Sequence, residues 1–394
     1  MTLRQVLVAG GGIGGMAAAL ACMRAGWDAR VFEQAAGFGE VGAGIQLGPN
    51  ATRILHAWGL QERLEEVAAF PDSLRVRDVR SGRELGALRL GDAFLSRYGA
   101  PYATVHRADL HSLLANAVRQ QGAHLRPGVP VIACSQHEKV VTVRTEGEVE
   151  VEGDALIGAD GLWSVVRPAV VDDGPPLATG HLAYRALVPA AEVPASARES
   201  RVTAWLGPRM HAVMYPVRAG EALNVVVIVQ GEPEGDLRDW DQRAVPAPLH
   251  VALAQACPAL RGVLDAVPAW RMWTLHDRDP VHGPEAMAKG LIALAGDAAH
   301  PMRPYLALGA AMAIEDADAL GESLRMVDDL IDVPTVLSRY ALDRWERCAR
   351  VQARARRNGT IFHAEGPIRW GRDMAMRMGG GKLLDLPWLY GLDA

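Results

Sequence analysis

Residues 5–33 read QVLVAGGGIGGMAAALACMRAGWDARVFE, and this stretch decides the fold. Residues 5–9 are a short apolar run with strand character, and residues 14–24 have helical composition that ends at Gly26, a residue suited to a helix C-cap. Residues 28–33 read as a second strand. Between the first strand and the helix stand Gly10, Gly12 and Gly15 in the spacing GxGxxG. Glycines there allow a tight turn and a close backbone approach to a pyrophosphate, which the helix N-terminus stabilises. Glu33, at the end of the second strand, is placed to accept hydrogen bonds from an adenosine ribose. A glycine-rich turn without a ligand shares the GxGxxG pattern. The strand, helix, second strand and acid at the expected spacing favour dinucleotide binding. Val6 to Met23 carries no charge, which by length suits a membrane helix. The glycines near its centre fit a strand, a turn and a buried helix better. Only Arg4 precedes it and no cleavage site follows, so no signal peptide is expected.

Outward from this unit, residues 51–58 suit a helix closed by Gly59, residues 74–90 carry short β-like runs, and residues 107–120 suit another helix. Hairpin-like strands are expected at 131–134 and 140–150. Residues 182–189, 201–206, 211–217 and 224–230 alternate or are β-rich, as in one antiparallel sheet. A buried strand returns at 291–295, followed by a loop, a helix at 310–325 and a long Arg-rich helix at 333–358. The expected architecture is α/β. A Rossmann-like dinucleotide domain comprises residues 1–72, 100–175 and 276–330, an inserted antiparallel β-rich domain residues 73–99 and 176–275, and a C-terminal helical region residues 331–394.

A chain of 394 residues exceeds what one core usually supports, in keeping with more than one domain. The net charge of −5 argues against a nucleic-acid partner, which needs a surplus of Lys and Arg. Cys22, Cys134, Cys257 and Cys348 are scattered and form no CxxC pair, so neither a metal site nor a disulfide framework is expected, and a cytoplasmic setting fits. Arg344, Arg347, Arg350 and Arg354 recur along one helical face, read here as solvated or intersubunit.

Two further segments carry chemistry. Asp160-Gly161 lies in ALIGADGLWSVVR (155–167), and Gly296-Asp297 opens GDAAHP (296–301). Gly-Asp after a buried strand puts a carboxylate at the strand's C-terminal end, where α/β proteins bind ligands. The alternative for either aspartate is a helix N-cap. Together with GxGxxG, these segments resemble the three fingerprints of the class A flavoprotein aromatic hydroxylases, the salicylate, 3-hydroxybenzoate and 6-hydroxynicotinate hydroxylase group. The resemblance covers nearly the whole chain, including His106-Arg107-Ala108-Asp109-Leu110, Asp277-Arg278-Asp279-Pro280 and Leu389-Tyr390-Gly391.

The resemblance implies non-covalent FAD held by Gly10, Gly12, Gly15, Glu33, Arg107, Asp160, Asp297 and the helix start near Gly309. It implies transient NADH or NADPH, since there is a single GxGxxG unit, and hydroxylation of a small aromatic acid with O2 through a flavin C4a-hydroperoxide. No membrane partner is expected, and the chain reads as a monomer or homodimer. His211, Val213, Tyr215 and Val217 alternate onto one strand face. In the resembling enzymes a His and a Tyr at this spacing line the substrate site, which makes His211 the candidate base and Tyr215 its catalytic neighbour. Histidine suits the role because its ordinary pKa lies near neutrality. Arg185, Arg209 and Arg303 are candidate carboxylate anchors. Leu308, Pro304 and Leu47 depart from the residues that named relatives carry, which weakens assignment to a particular substrate. The alternatives are a flavoenzyme of the same fold with epoxidase or halogenase chemistry, a non-catalytic flavin-binding protein, and an NAD-dependent dehydrogenase. The Trp-x-Trp-x-Ile signature of halogenases is missing from the chain.

Overall fold

In the computed structural model, residues 4–37, 43–232, 235–239, 241–244, 247–328 and 330–391 are described. The strand Gln5–Ala9 pairs in parallel with Asp28–Glu33 on one side and Ala155–Gly158 on the other. His124–Pro127 and Ile292–Leu294 extend this sheet in parallel, and Ala288–Lys289 closes one edge antiparallel. The central strands are almost wholly buried, as expected when helices cover both faces.

Helices Ile13–Arg24 and Gly309–Leu324 lie side by side. A Cβ on Gly14 would stand 3.5 Å from Ala313 Cβ, and one on Gly321 would stand 3.0 Å from the Ala21 carbonyl oxygen. The contacts advance together along both chains, so the two helices run in the same direction and begin on the same side. Beside their N-termini, the C-terminal ends of the parallel strands deliver Gly10, Asp160 and Asp297 to one edge.

The second large sheet has eight strands, in the order Gln242–Arg243, Arg271–Asp277, Leu177–Pro189, Ala222–Gln230, Met210–Val217, Arg201–Gly207, Ser73–Asp78 and Glu84–Arg89. It is antiparallel except where Arg201–Gly207 meets Ser73–Asp78. The four strands expected to form one antiparallel sheet do so, and the parallel pair arises where Ser73–Asp78 joins them. Ser73–Asp78 arrives from far upstream by a long connection, and only such a connection permits a parallel neighbour. Strands Val131–His137, Val140–Thr145 and Glu150–Gly153 form a separate three-stranded sheet.

The long helix runs from Val333 to Phe362, past the expected end at 358, and a further helix, Gly366–Gly379, follows it. Its arginines do not all face solvent. Arg344 is buried and Arg347 half-buried, and both pair with carboxylates of the helix Gly309–Leu324. The reading of a wholly solvated face is therefore corrected. Period alone places residues on a face but does not say what covers it.

Candidate active site

At the edge of the parallel sheet, Gly10 adopts φ +100°, and a Cβ on it would lie 2.3 Å from the Ala159 carbonyl oxygen. A Cβ on Gly15 would lie 1.8 Å from the Gly10 carbonyl oxygen, so neither position tolerates a side chain. Gly12 is the N-cap of the first helix. Neither that helix nor Gly309–Leu324 has a side-chain cap or an acidic residue in its first turn. Two uncapped, positively polarised helix ends thus open on the same side.

Glu33 accepts hydrogen bonds from the amides of Gly11 and Ala35, each at 2.7 Å, so its carboxylate is fixed at the strand end by the backbone. Asp297 sits in a tight turn in which Gly296 takes φ +59°. It has exposed surface of its own although protein surrounds it closely, as a group on the floor of a concavity does. Burial pushes its carboxyl above the usual range, against the pull of His300 and Arg107. Gly309 borders it: a Cβ there would stand 3.9 Å from Asp297 Oδ1. Arg107 begins the helix Arg107–Gln120 and lies in the field of both Asp297 and Arg185.

Asp160 behaves as a turn-former. Its Oδ2 accepts from the amides of Val165 at 2.7 Å and Val166 at 3.2 Å, while its Oδ1 is buried without a partner. Burial pushes its carboxyl up. The glycine cradle, the paired helix ends, the Asp297 concavity and the orphaned Asp160 Oδ1 fit a bound dinucleotide whose anionic groups meet the helix N-termini.

The eight-stranded sheet supplies the other wall. Cross-strand partners share a face, and three rows of partners lie side by side on it. Leu206, His211, Ile228 and Ala183 make one buried row. Buried Tyr215 and Asn224 belong to another. In the row between them Ala204, Val213 and Val226 are all partly exposed, with Arg185 beside Val226. Both flanking rows are covered by segments of the dinucleotide half, the start of the strand Gly44–Leu47 and the loop that carries Tyr305. At one side a Cβ on Gly44 would reach 2.5 Å from Tyr215 Cε2, and the Gly44 amide donates to Asn224 Oδ1 at 2.7 Å. At the other side the Tyr305 ring stacks 5.0 Å from His211. The open middle row is the floor of the candidate substrate pocket.

His211 is buried, and its Nδ1 lies 2.9 Å from Nε2 of His363, just past the end of the long helix. The His181 ring stands 5.0 Å from that of His363. Burial first, and then His181, hold His211 down at about 3, so the expectation that it titrates near neutrality is corrected. Burial pushes the Tyr215 phenol up. Of the three expected anchors, Arg209 is exposed and donates to Gln230, and Arg303 pairs with Asp277. Arg185 pairs with Asp241 at 2.6 Å, stacks on Trp273 and is the one that borders the open row. Leu47 and Leu308 are core residues, while Pro304 is exposed. The sequence reading missed His181, Tyr305 and His363. Tyr305 adjoins a fingerprint segment and was within reach of it, whereas no local signal marks His363.

A profile of the FAD binding domain matches residues 4–355. Over 391 residues the chain is 39% identical to a 3-hydroxybenzoate 6-hydroxylase of Polaromonas naphthalenivorans (strain CJ2), covering 98% of this chain and 95% of the relative. It is 35% identical to a 6-hydroxynicotinate 3-monooxygenase of Bordetella bronchiseptica, covering 92% and 93%. Among solved structures it is similar to Klebsiella pneumoniae HpxO complexed with FAD and uric acid, with a TM-score of 0.84 and 25% identity over 97% of this chain and 94% of that one.

Proposed function

The chain belongs to the FAD binding domain family, and from that premise we propose that it hydroxylates a small phenolic or hetero-aromatic carboxylic acid. It is a flavin-dependent monooxygenase with FAD as its cofactor. When bound, FAD takes electrons from a nicotinamide coenzyme and supplies one oxygen atom of O2 to the ring. Gly10, Gly12, Gly15, Glu33, Arg107, Asp297 and the helix start at Gly309 hold the dinucleotide, while Asp160 shapes the adjoining turn.

The observation that carries the substrate reading is the partly exposed row Ala204–Val213–Val226, shut in between Tyr215 and His211. A flat apolar floor with a polar group at either side suits one aromatic ring. Arg185, bordering that floor, faces the substrate carboxylate. His211 takes the phenolic proton on Nε2: the O–H bond breaks, an N–H bond forms, and the electron pair left on oxygen enriches the ring for attack by electrophilic oxygen. Tyr215 orients the ring from the far side. The substrate anion formed beside His211 compensates the burial that keeps the free imidazole neutral.

Among the described residues no helix is long and apolar enough to cross a membrane. The four thiols, all free, suit a reducing compartment, and we place the enzyme in the cytoplasm as a monomer or homodimer.

Oxidation of NADH and NADPH with a panel of 3-hydroxybenzoate, salicylate, 4-hydroxybenzoate and 6-hydroxynicotinate tests the reading, with product identified by mass. His211→Ala should lower hydroxylation about 10²- to 10⁴-fold, while flavin content and coenzyme oxidation stay near the parent's. A ratio of product to coenzyme equal to the parent's would reject His211 as the base.

A further inference from the structure

His181, His211, His363 and Tyr305 come from two strands, the segment after the long helix and the loop after Gly296-Asp297, yet their rings form one buried cluster. Phe362 closes it, 5.4 Å from His211 and 6.2 Å from Tyr305. Two polar atoms in it, His363 Nδ1 and Tyr305 Oη, are buried without partners. Packing by itself does not account for keeping three imidazoles and an unpaired phenol where apolar rings would fit.

We propose that His363 is a positioning residue that fixes the tautomer and ring orientation of His211. The inference rests on the reading of His211 as the base. A neutral imidazole that accepts a proton at Nε2 carries its hydrogen on Nδ1. Among the described residues that nitrogen meets Nε2 of His363, at 2.9 Å, which therefore acts as the acceptor. The contact holds the His211 lone pair on Nε2, the one ring nitrogen left for a substrate hydroxyl. Once His211 is protonated, both of its N–H groups have acceptors, His363 on one side and the substrate oxygen on the other. His363 is suited to accept because it stays neutral itself: burial, His211, His181, Arg372 and Arg303 all disfavour its charged form. Tyr305 and Phe362 limit rotation of the His211 ring.

The test uses the FAD-loaded enzyme and three variants. In the parent, ¹⁵N spectra of the imidazoles should show neutral His211 with hydrogen on Nδ1. In His363→Phe that preference should be lost, and the product-to-coenzyme ratio should fall about 10- to 100-fold, the scale seen when the orienting partner of a metal-ligating histidine is removed. Flavin content and near-UV circular dichroism should not change. His363→Gln, which keeps an acceptor close to the same place, should recover the ratio to within a few-fold of the parent. Hydrogen on Nε2 in the parent, or full coupling in His363→Phe, overturns the proposal. Equal losses in the Phe and Gln variants also overturn it, since they would make the histidine a packing residue. If His211→Ala uncouples while His363→Phe does not, this inference alone fails. If His211→Ala leaves coupling intact, the base reading beneath it fails.

Discussion

The loop from His300 to Gly309 joins two buried polar clusters that solve burial in opposite ways. At its start His300 Nε2 meets Asp316 Oδ2 at 2.5 Å, and Arg344 Nε meets Asp316 Oδ1 at 2.9 Å. Glu315, Arg347 and Asn50 extend the same network. Five residues on, Tyr305 packs against His211 in a cluster whose histidines have no carboxylate partner among the described residues. Both His300 and His211 are buried. Asp316 raises His300 well above its ordinary value, whereas burial lowers His211 to about 3. Burial alone does not set the charge of a histidine; the neighbour does. In the first cluster each charged group meets one of opposite sign, and the Gly296 turn is tied to the long helix through its amide on Asp316 and Asp316 on Arg344. The second is held by ring packing and by one hydrogen bond between neutral imidazoles, His211 Nδ1 to His363 Nε2. His300, Asp316 and Cys348 lie close enough together to suggest a metal, but Arg344 already provides the positive charge there.

The sharpest way to break this contrast is to remove the shared carboxylate. Asp316→Ala leaves His300 without its carboxylate and Arg344 with Glu315 alone in the interior, and about 3–5 kcal/mol of stability should be lost. Urea unfolding measures it, with flavin content falling in parallel. A loss no larger than that of His363→Phe would mean that the two clusters do not differ in kind.

Acid titration probes the neutral cluster. Unfolded histidines titrate near 6.5, whereas folded His211 and His363 stay neutral down to about 3 and about 2. Between those limits the unfolded chain binds more protons, so stability is lost as pH falls below 6.5. The Arg303 and Arg372 charges and His181 deepen the effect at His363. From pH 6.5 to pH 5 each of the two should cost about 2 kcal/mol. His300 is raised, so its contribution is already complete below 6.5 and does not offset the loss. Unfolding curves at pH 7, 6 and 5 should show the slope, and His363→Phe should lessen it. A parent whose stability is flat across this range would rule out the neutral cluster.

The two clusters also differ in how far the sequence reveals them. Gly10, Gly12, Gly15 and Glu33 are legible because their geometry is local: a strand, a turn and a helix within one short stretch. Asp297 is placed locally at a strand's C-terminal end, with a helix N-cap as the alternative, whereas Arg107 needs the resemblance. The face shared by His211 and Tyr215 follows from strand alternation, and the structure puts both on it. Their environment does not follow, because His363 comes from a segment 152 residues away. Arg344 was misread for the same reason, since its helical period is that of a solvent-facing stripe until Glu315 and Asp316 are brought against it.

Asp160 offers a smaller effect that separates turn-forming from ligand-holding. Its Oδ2 holds two backbone amides, and losing such bonds typically costs about 1–2 kcal/mol. Asp160→Ala should therefore lose about that much stability and slow reduction of the flavin by NADH more than it weakens binding of the aromatic acid. Asp160→Asn keeps an acceptor oxygen and should retain most of both properties. Stopped-flow reduction beside urea unfolding reads the two. If Asn is as slow as Ala with stability restored, the negative charge itself matters and the turn does not explain the defect.

The smallest effect is expected where the long helix turns outward. Arg350 lies on the same helix as Arg344 but is exposed, with its guanidinium 4.1 Å from the centroid of the Trp388 ring and no carboxylate partner among the described residues. A cation over an aromatic face at an exposed site contributes about 0.5–1 kcal/mol, since water solvates the charge whether or not the ring is present. Arg350→Ala should thus cost no more than that and leave flavin content and hydroxylation unchanged. Arg344→Ala, six residues earlier, should approach the Asp316 variant, because it removes the buried guanidinium that Asp316 and Glu315 share. Both substitutions delete one positive charge from one helix, so net charge and helix propensity are matched and only burial and partners differ. If the two variants unfold at the same urea concentration, the distinction between a mated internal charge and a solvated one does not hold here.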